Sequence, residues 1–391
     1  DENIVSRYCC ADAYWGVQIE KLLESELTEK TRALYHNVDI PLVTILADMQ
    51  AKGIAIDRTV VIDTLVKLTQ EQGQINTIVQ ELAGKEINLA SPPQLSAFYY
   101  EHLGLPVQRV SRQTGKPSVD ALSLLRLKDK HPTISLVLEW KRDQKHREFL
   151  IQWLAASEED KRLHTTFTQA RVRTHRFSSE HPNLQQVKLD WRDAFIADEG
   201  QLLVAGDYDG IEWRLGAYVS HDPELLKIAQ AQPGTEEGDL HGQNVKKLFG
   251  VPYDEQKLEH NRPLRVRAKN FLFGAMYGSK GEEVHSVIEK QMLIDPSLAT
   301  LGIPTVKEIR QGIMNIHDIY GRYFKEWGAF AIYDAIEKGC VAYTLYGRPR
   351  LLPDLISKDK QAREAAEREC ISLIIQGSAA DVMRLALTAV E

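Results

Sequence analysis

Cysteine is scarce: Cys9, Cys10, Cys340 and Cys370 are all that 391 residues carry, and neither C-x-x-C nor H-E-x-x-H spacing occurs. Too few and too scattered for a disulfide framework or a thiolate-held zinc, these cysteines point to an intracellular protein. No run approaches the ~20 apolar residues that cross a bilayer, and no charged-then-apolar leader opens the chain, so no membrane partner is expected. Internal repeats and low-complexity tracts are absent as well. So is any basic excess: 48 Lys and Arg against 55 Asp and Glu leave a net charge of -7. Contact with nucleic acid would therefore have to come from local patches. Position 1 is Asp rather than Met, which reads as an interior piece of a longer protein.

What is present is ordinary folding material. With 43% hydrophobic and 26% charged residues, disordered, collagen-like and coiled-coil classes are excluded. A chain of this length is expected to form two or three domains. Residues 1–30 read as a helix with Tyr14, Val17, Ile19, Leu22 and Leu23 as its apolar positions, and a second helix starts at Asp39 and stops at Gly53. A third runs from about Asp57 to Leu82, and Ser91-Pro92 supplies an N-cap and first helical position. Between His102 and Val119 stand Arg109, Arg112 and Lys116 with no acid, around a Thr114-Gly115 turn. A helix over about 133–156 follows, basic in its middle (Lys141, Arg142, Lys145, Arg147), so that two long helices and a basic tip form an arm suited to rest on an anion. After Glu158 strand signals begin. Leu202-Leu-Val-Ala-Gly-Asp207 reads as a buried strand presenting a carboxylate at its end. Residues 221–339 are mostly helical, 341–351 read as a hairpin, and a helix starts at Lys358.

The sharpest local pattern is Arg265-x-x-x-Lys269-x-x-x-Phe273-x-x-x-Tyr277-Gly278. Steps of four keep side chains near one helix face, so two cations lead into two aromatics along ~18 Å at ~1.5 Å per residue. Residues 261–280 hold five basic side chains and no acid. Such a face suits a polyphosphate at one end and a base at the other, although a solvated basic face with Phe273 and Tyr277 in the core has the same spacing. Gly274-Ala-Met-Tyr-Gly278-Ser-Lys280 is not a phosphate-binding glycine loop, because three residues separate its glycines and Lys does not follow the second. In Gly206-Asp207-Tyr208-Asp209-Gly210-Ile-Glu212-Trp-Arg214, a carboxylate beside an accessible carbonyl fits a Mg²⁺ ligand, or equally a helix cap. Arg171 to Ser179, followed by Asn183 and Gln185, combines arginines with hydroxyls and amides suited to phosphates and base edges, or to a solvated loop. His241, after Asp239-Leu240, stands near a helix start.

Together these segments become recognisable. Asp207-Tyr-Asp-Gly-Ile-Glu212-Trp-Arg214 resembles motif A, and Arg265 to Gly278 resembles motif B, of family A DNA polymerases. Arg176-Phe-Ser-Ser with Pro182-Asn-Leu-Gln185, Asp239-Leu-His241, Gly347-Arg-Pro-Arg, and Arg368 with Gln376-Gly-Ser-Ala-Ala-Asp381 follow in the family's order. Asn88-Leu-Ala-Ser-Pro92 and Leu103-Gly-Leu-Pro106 look like its thumb, and Tyr8-Cys-Cys-Ala-Asp12 like the last motif of its 3′–5′ exonuclease domain. The resemblance implies an α+β right-hand polymerase fold with a helical thumb, helical fingers and an incomplete mixed α/β palm. The implied division is an exonuclease tail over 1–30, thumb over 31–160, palm over 161–220, fingers over 221–340 and a second, truncated part of the palm over 341–391.

It further implies template-directed addition of dNTPs to a primer 3′ end in replication or repair, with two Mg²⁺ ions. Asp207 and the Tyr208 carbonyl would hold metal, and Arg265 and Lys269 the phosphates. Lys269 would be the acid for departing pyrophosphate, and His241 would assist at the phosphates. Phe273 and Tyr277 would meet the incoming base and the templating pair, with Glu212 as the gate against a ribose 2′-hydroxyl. Arg176, Asn183, Gln185, Arg368 and Gln376 would follow the primer–template minor groove, whose acceptors are similar for all base pairs. Tyr8 and Asp12 would be an exonuclease remnant. Departures from the pattern are His175 in place of a glycine, Ser372 where Asn is usual, Gly210 for the more frequent Gln and Trp213 for the usual Leu.

The family's His-Asp-Glu motif would lie beyond Glu391, so this chain by itself is expected to bind primer–template and extend it negligibly. A monomer is expected, in the cytoplasm of a bacterium or phage-infected cell, with an organellar location left open; processivity partners leave no mark. The competing readings are a single-subunit RNA polymerase, which Glu212 disfavours, and a non-catalytic DNA-binding protein of the same fold. A nucleotide-binding signalling protein has no feature of its own here.

Overall fold

Local chemistry sets the helix boundaries. In the computed structural model, which describes residues 2–111 and 114–390, Asp57 accepts the Thr59 amide at 2.8 Å to start the Arg58–Ala83 helix. Gly84, at φ +65°, ends it in the left-handed conformation that glycine takes without strain. Ser91 caps Pro92–Ser96 as expected. Arg58–Ala83 packs along Pro132–Ala156, and Phe98, Tyr99, Leu124, Ile134 and Val137 close a core at one end of the pair. Trp153, Trp191, Leu163 and Ile56 form a second core at the other end.

The arm is less free to meet an anion than its composition implies. Arg142 binds Asp143 (Nε–Oδ1 2.9 Å), Arg147 donates to Gln72 (2.7 Å) and Lys141 donates to the Val119 carbonyl (3.1 Å). In the basic loop, Arg109 pairs with Asp120; Arg112 lies outside the described residues.

Among the described residues the strands form three short antiparallel ribbons: Ile54–Ala55 with Arg162–Leu163, Thr166–Thr168 with Ser178–Glu180, and Val341–Tyr343 with Pro349–Leu351. The last is the expected hairpin. The expected strand over 202–207 is not formed: the segment has no ladder partner, and Leu202 and Val204 are 90% and 93% exposed. An apolar run specifies a wish for burial, but burial requires a partner that local sequence does not name. The Glu2–Glu26 helix likewise leaves Tyr14, Val17, Ile19, Leu22 and Leu23 exposed.

The largest core joins the helices of the second half, with Trp213, Phe271, Leu272, Ile309, Ile316, Tyr320 and Tyr323 at its centre. Contrary to the expectation that no run approaches a membrane span, the continuous helical stretch over Lys360–Val390 is long and apolar enough to cross a membrane by length and composition. Half of its apolar window is buried in the fold, and the buried Asp381 and Arg384 lie on it, which marks a core helix.

A two-point ion pair helps tie the N-terminal helical arm to this body. Arg126 donates both Nε and Nη2, at 2.9 Å each, to the carboxylate of Glu289, a residue 1% exposed on the Gly281–Ile294 helix. His285 Nδ1 stands 3.3 Å from the same carboxylate. Removing one partner of a buried pair leaves a costly uncompensated charge. In Arg126→Ala, hydrogen exchange across Gly281–Ile294 is expected to rise by about tenfold, the equivalent of ~1.4 kcal/mol. Unchanged exchange would show that the arm is held elsewhere.

Candidate active site

The Arg262–Met276 helix presents two unlike faces. Ala268, Phe271, Leu272, Ala275 and Met276 are buried against its neighbours, and Gly274 lets Val284 approach so closely that a Cβ there would lie 2.6 Å from Val284 Cγ2. The opposite face carries Arg265, Lys269 and Phe273, with Tyr277 at the C-cap. The Phe273 and Tyr277 rings are stacked at 6.1 Å and 16°, and Lys269 Nζ stands 5.8 Å from the Phe273 centroid. The spacing therefore marks a real face: Phe273 and Tyr277 line it half-buried, and Tyr277 also packs against the main core.

Arg265 is oriented by two groups. Its Nη2 donates to Asp239 Oδ2 at 2.8 Å and its Nη1 to Gln256 Oε1 at 3.3 Å. Asp239 also caps the Leu240–Phe249 helix through the Gly242 amide (2.9 Å) and accepts from the Tyr253 hydroxyl (3.3 Å). Burial alone would raise the Asp239 carboxyl, but the Gly242 amide and Arg265 hold it below the usual range. Gln256, buried, is fixed by donating to the Gly242 and Val251 carbonyls, each at 3.1 Å. Sequence reasoning misses these two supports as partners of Arg265; the Asp-x-x-Gly helix start is the one available signal.

The cap on Leu240 aims the next residue, His241, at the same face, its ring 6.2 Å from Phe273. Burial, reinforced by the nearby Lys269 charge, pushes His241 down to about 4, so the imidazole is neutral at physiological pH. Its Nδ1 is buried and has no hydrogen-bond partner among the described residues. Asp209 is among the charges acting on it, which brings the Asp207–Asp209 turn within electrostatic reach of the face.

Glu212, in the first turn of the Ile211–Ser220 helix, joins three segments: Arg176 pairs with its carboxylate and the Tyr277 hydroxyl donates to it. Gly278, at φ +60°, lies under Arg368, and a Cβ there would stand 2.9 Å from Arg368 Cγ. Asp207 and Tyr208 are exposed on the irregular 201–208 segment, and Asp207 has no hydrogen-bond or ion-pair partner among the described residues. Asn183 and Gln185 follow the Ser178–Glu180 strand, at the cap and inside the short 3-10 turn Leu184–Gln186: the Asn183 side chain accepts the Gln185 amide (2.9 Å), and Gln185 Nε2 donates to the Phe177 carbonyl (3.0 Å). Gln376 is half-buried in the π-helical segment Leu373–Gly377 that runs into the Ser378–Val390 helix. Tyr8 and Asp12 stand apart, exposed on Glu2–Glu26.

A cation pair, two stacked aromatics, a neutral imidazole and a carboxylate thus share one surface. The family model described as DNA polymerase family A matches residues 60–391. The chain is 33% identical over 373 residues to "DNA polymerase I, thermostable" of Thermus aquaticus, covering 93% of this chain and 42% of that protein. It is 32% identical over 377 residues to DNA polymerase I of Deinococcus radiodurans, covering 93% and 36%. The POL domain of Pol1 from M. smegmatis, in complex with DNA primer-template and dNTP, shares the fold with a TM-score of 0.78 at 29% identity, over 95% of this chain and 63% of that one. The chain spans about two-fifths of the length of these curated relatives. The α+β right-hand reading of the fold and the motif matches agree with a family match over most of the sequence: the chain belongs to DNA polymerase family A.

Proposed function

We propose that the protein carrying this chain adds deoxynucleotides to a primer 3′ end under template direction, releasing pyrophosphate, in the cytoplasm of a bacterium. The observation that carries the reading is the single surface made by Arg265, Lys269, Phe273, Tyr277 and His241, tied through Tyr277 to Glu212. Residues 31–160 act as thumb, 161–220 and 341–391 as palm, and 221–340 as fingers; Tyr8 and Asp12 belong to an exonuclease remnant over 1–30.

Arg265, already held by Asp239 and Gln256, receives the triphosphate as an oriented fork, while Lys269 meets it as a mobile point charge. Lys269 gives its proton to the departing pyrophosphate oxygen. Neutral His241 contributes a hydrogen bond without adding charge. Phe273 covers the sugar and base, and Glu212, fixed by Arg176 and Tyr277, fills the space of a 2′-hydroxyl. Arg176, Asn183, Gln185, Arg368 and Gln376 follow the minor groove of primer–template, and the Asn183 and Gln185 amides keep donors or acceptors beyond their local bonds.

Asp207, exposed and unpaired among the described residues, and the Tyr208 carbonyl are hard oxygen donors of the kind Mg²⁺ takes, with water and phosphate oxygens completing its shell. When bound, the ion supplies Lewis-acid charge at the reacting oxygens. Two ions need further carboxylates, and the described residues group no three acidic, histidine or cysteine side chains around a common point.

Primer extension by the natural full-length protein, with dNTPs and rNTPs compared, tests the reading. Template-dependent incorporation strongly favouring dNTPs is expected. Primer–template binding with no incorporation would favour a non-catalytic DNA-binding protein, and rNTP preference an RNA polymerase.

A further inference from the structure

The turn that carries Asp207 and Tyr208 has no support of its own. It forms no strand, and Leu202 and Val204 before it lie in solvent. Its first fixed point is Gly210, which adopts φ +61°, ψ 33° at the N-cap of Ile211–Ser220, where no side chain caps the helix. A Cβ at 210 would overlap Trp213 Nε1 and lie 2.6 Å from its Cδ1. Trp213 is 5% exposed, so the indole cannot swing out without emptying part of the main core.

The ring holds a second group. The Arg214 guanidinium lies 4.6 Å from the Trp213 ring centre. Its Nε donates to the Asp209 carbonyl at 2.9 Å, its Nη1 to the Ala229 carbonyl at 2.9 Å, and its Nη2 stands 3.6 Å from Asp209 Oδ2. Ala229 belongs to the Pro223–Gln230 helix. The guanidinium, spread over the indole, therefore ties the Asp209 backbone to a neighbouring helix. The indole fills the inner side of the turn, which only a residue without Cβ leaves open.

We propose that Trp213 and Arg214 are positioning residues for the Asp207–Tyr208 turn, and that Gly210 is glycine because the indole occupies the volume of its side chain. The kinetic part rests on the nucleotidyl-transfer reading above; the packing part does not. Trp213 packs against Gly210, Arg214 holds the Asp209 carbonyl, and Asp207 stands two residues upstream of that carbonyl. Glu212 leaves the same helix one residue before the indole, so the unit fixes both carboxylates relative to the Arg265–Tyr277 face.

The test is a double-mutant cycle in the natural full-length protein with Gly210→Ala, Trp213→Leu and both. The strain of a left-handed φ at 210 is common to both backgrounds and cancels, so the coupling isolates the contact with the indole. The melting-temperature loss of the double variant is expected to fall short of the sum of the singles by about 3 °C or more. Additive losses would overturn the pairing. For positioning, the single-turnover dNTP incorporation rate of Trp213→Leu is expected to fall by about tenfold, with primer–template affinity within about twofold of the unchanged protein. Trp213→Phe should recover most of the rate, and Arg214→Lys, which keeps charge but loses the fork, should not. An unchanged rate in Trp213→Leu, or equal losses in rate and DNA affinity, would leave Trp213 a packing residue only. If the unchanged protein incorporates no nucleotide, the functional reading fails while the melting cycle still decides the Gly210–Trp213 pairing.

Discussion

Lys269→Ala is expected to lower single-nucleotide incorporation by about 10²- to 10⁴-fold, the range for loss of a positioned proton donor or charge stabiliser, with primer–template affinity nearly unchanged. The size of the effect depends on the contacts each cation on the face already makes. Arg265 is bound to Asp239 and Gln256, so much of its charge is answered within the protein. Lys269, exposed and with no hydrogen-bond or ion-pair partner among the described residues, reaches only the Phe273 ring at 5.8 Å. Its charge is therefore available to a ligand.

Lys269→Arg separates the two roles. A guanidinium keeps the cation but does not release a proton in the working pH range, so nucleotide affinity should survive while the rate stays low. His241 does not replace the lost donor. Burial is the leading cause of its depressed value and the Lys269 charge only adds to it, so removing that charge leaves the imidazole neutral near pH 7. Pre-steady-state incorporation measured with a nucleotide-binding curve would show the split. Equal rates for Lys269→Ala and the unchanged protein would remove Lys269 from the chemistry.

The parts of the fold legible in the sequence are those fixed within a few residues. Asp57, Ser91 and Gly84 punctuate helices because their side chains, or the lack of one, act on neighbouring amides. The Arg265–Tyr277 face was legible because helical geometry repeats every four residues on one side. The 202–207 run was not, since an apolar stretch becomes a strand only when another strand pairs with it, and here none among the described residues does. Basic residues on Pro132–Ala156 looked free for an anion, yet Gln72, Asp143 and the Val119 carbonyl take three of them. Arg126–Glu289 joins residues 163 apart in sequence, and no local pattern marks such a pair.

The same blindness hid the site of the largest expected loss of stability. Arg348→Ala is expected to cost about 3–5 kcal/mol, the range for breaking a buried ion network from one side. Asp381, 1% exposed, accepts Arg348 Nε at 2.8 Å and the Thr344 hydroxyl at 2.6 Å. Arg348 Nη1 and Nη2 reach both oxygens of Asp39, at 2.7 and 3.0 Å. Arg384, also buried, gives Nη1 to Asp39 (3.0 Å) and Gln169 (2.9 Å) and Nη2 to the carbonyls of Gln169 (2.6 Å) and His175 (2.9 Å). One network thus ties the start of Ile40–Lys52, the 344–348 turn, Ser378–Val390 and the loop that carries Arg176.

Removing Arg348 leaves Asp381 with a hydroxyl alone and Asp39 with one cation instead of two. By contrast, Arg322→Ala breaks an exposed i,i+4 approach to Glu326 of 3.8 Å and should change stability by less than about 0.5 kcal/mol. Because Arg384 holds the His175 carbonyl, loosening at Asp39 should also loosen the loop that carries Arg176, and under the proposed function this weakens primer–template binding. Removing Arg348 and Asp381 together is expected to cost less than the two single losses added, since Asp39 and Arg384 then remain as a matched pair. Urea unfolding of the four proteins measures that coupling, and strictly additive losses would mean that Arg348 and Asp381 stabilise the fold through separate contacts rather than through each other.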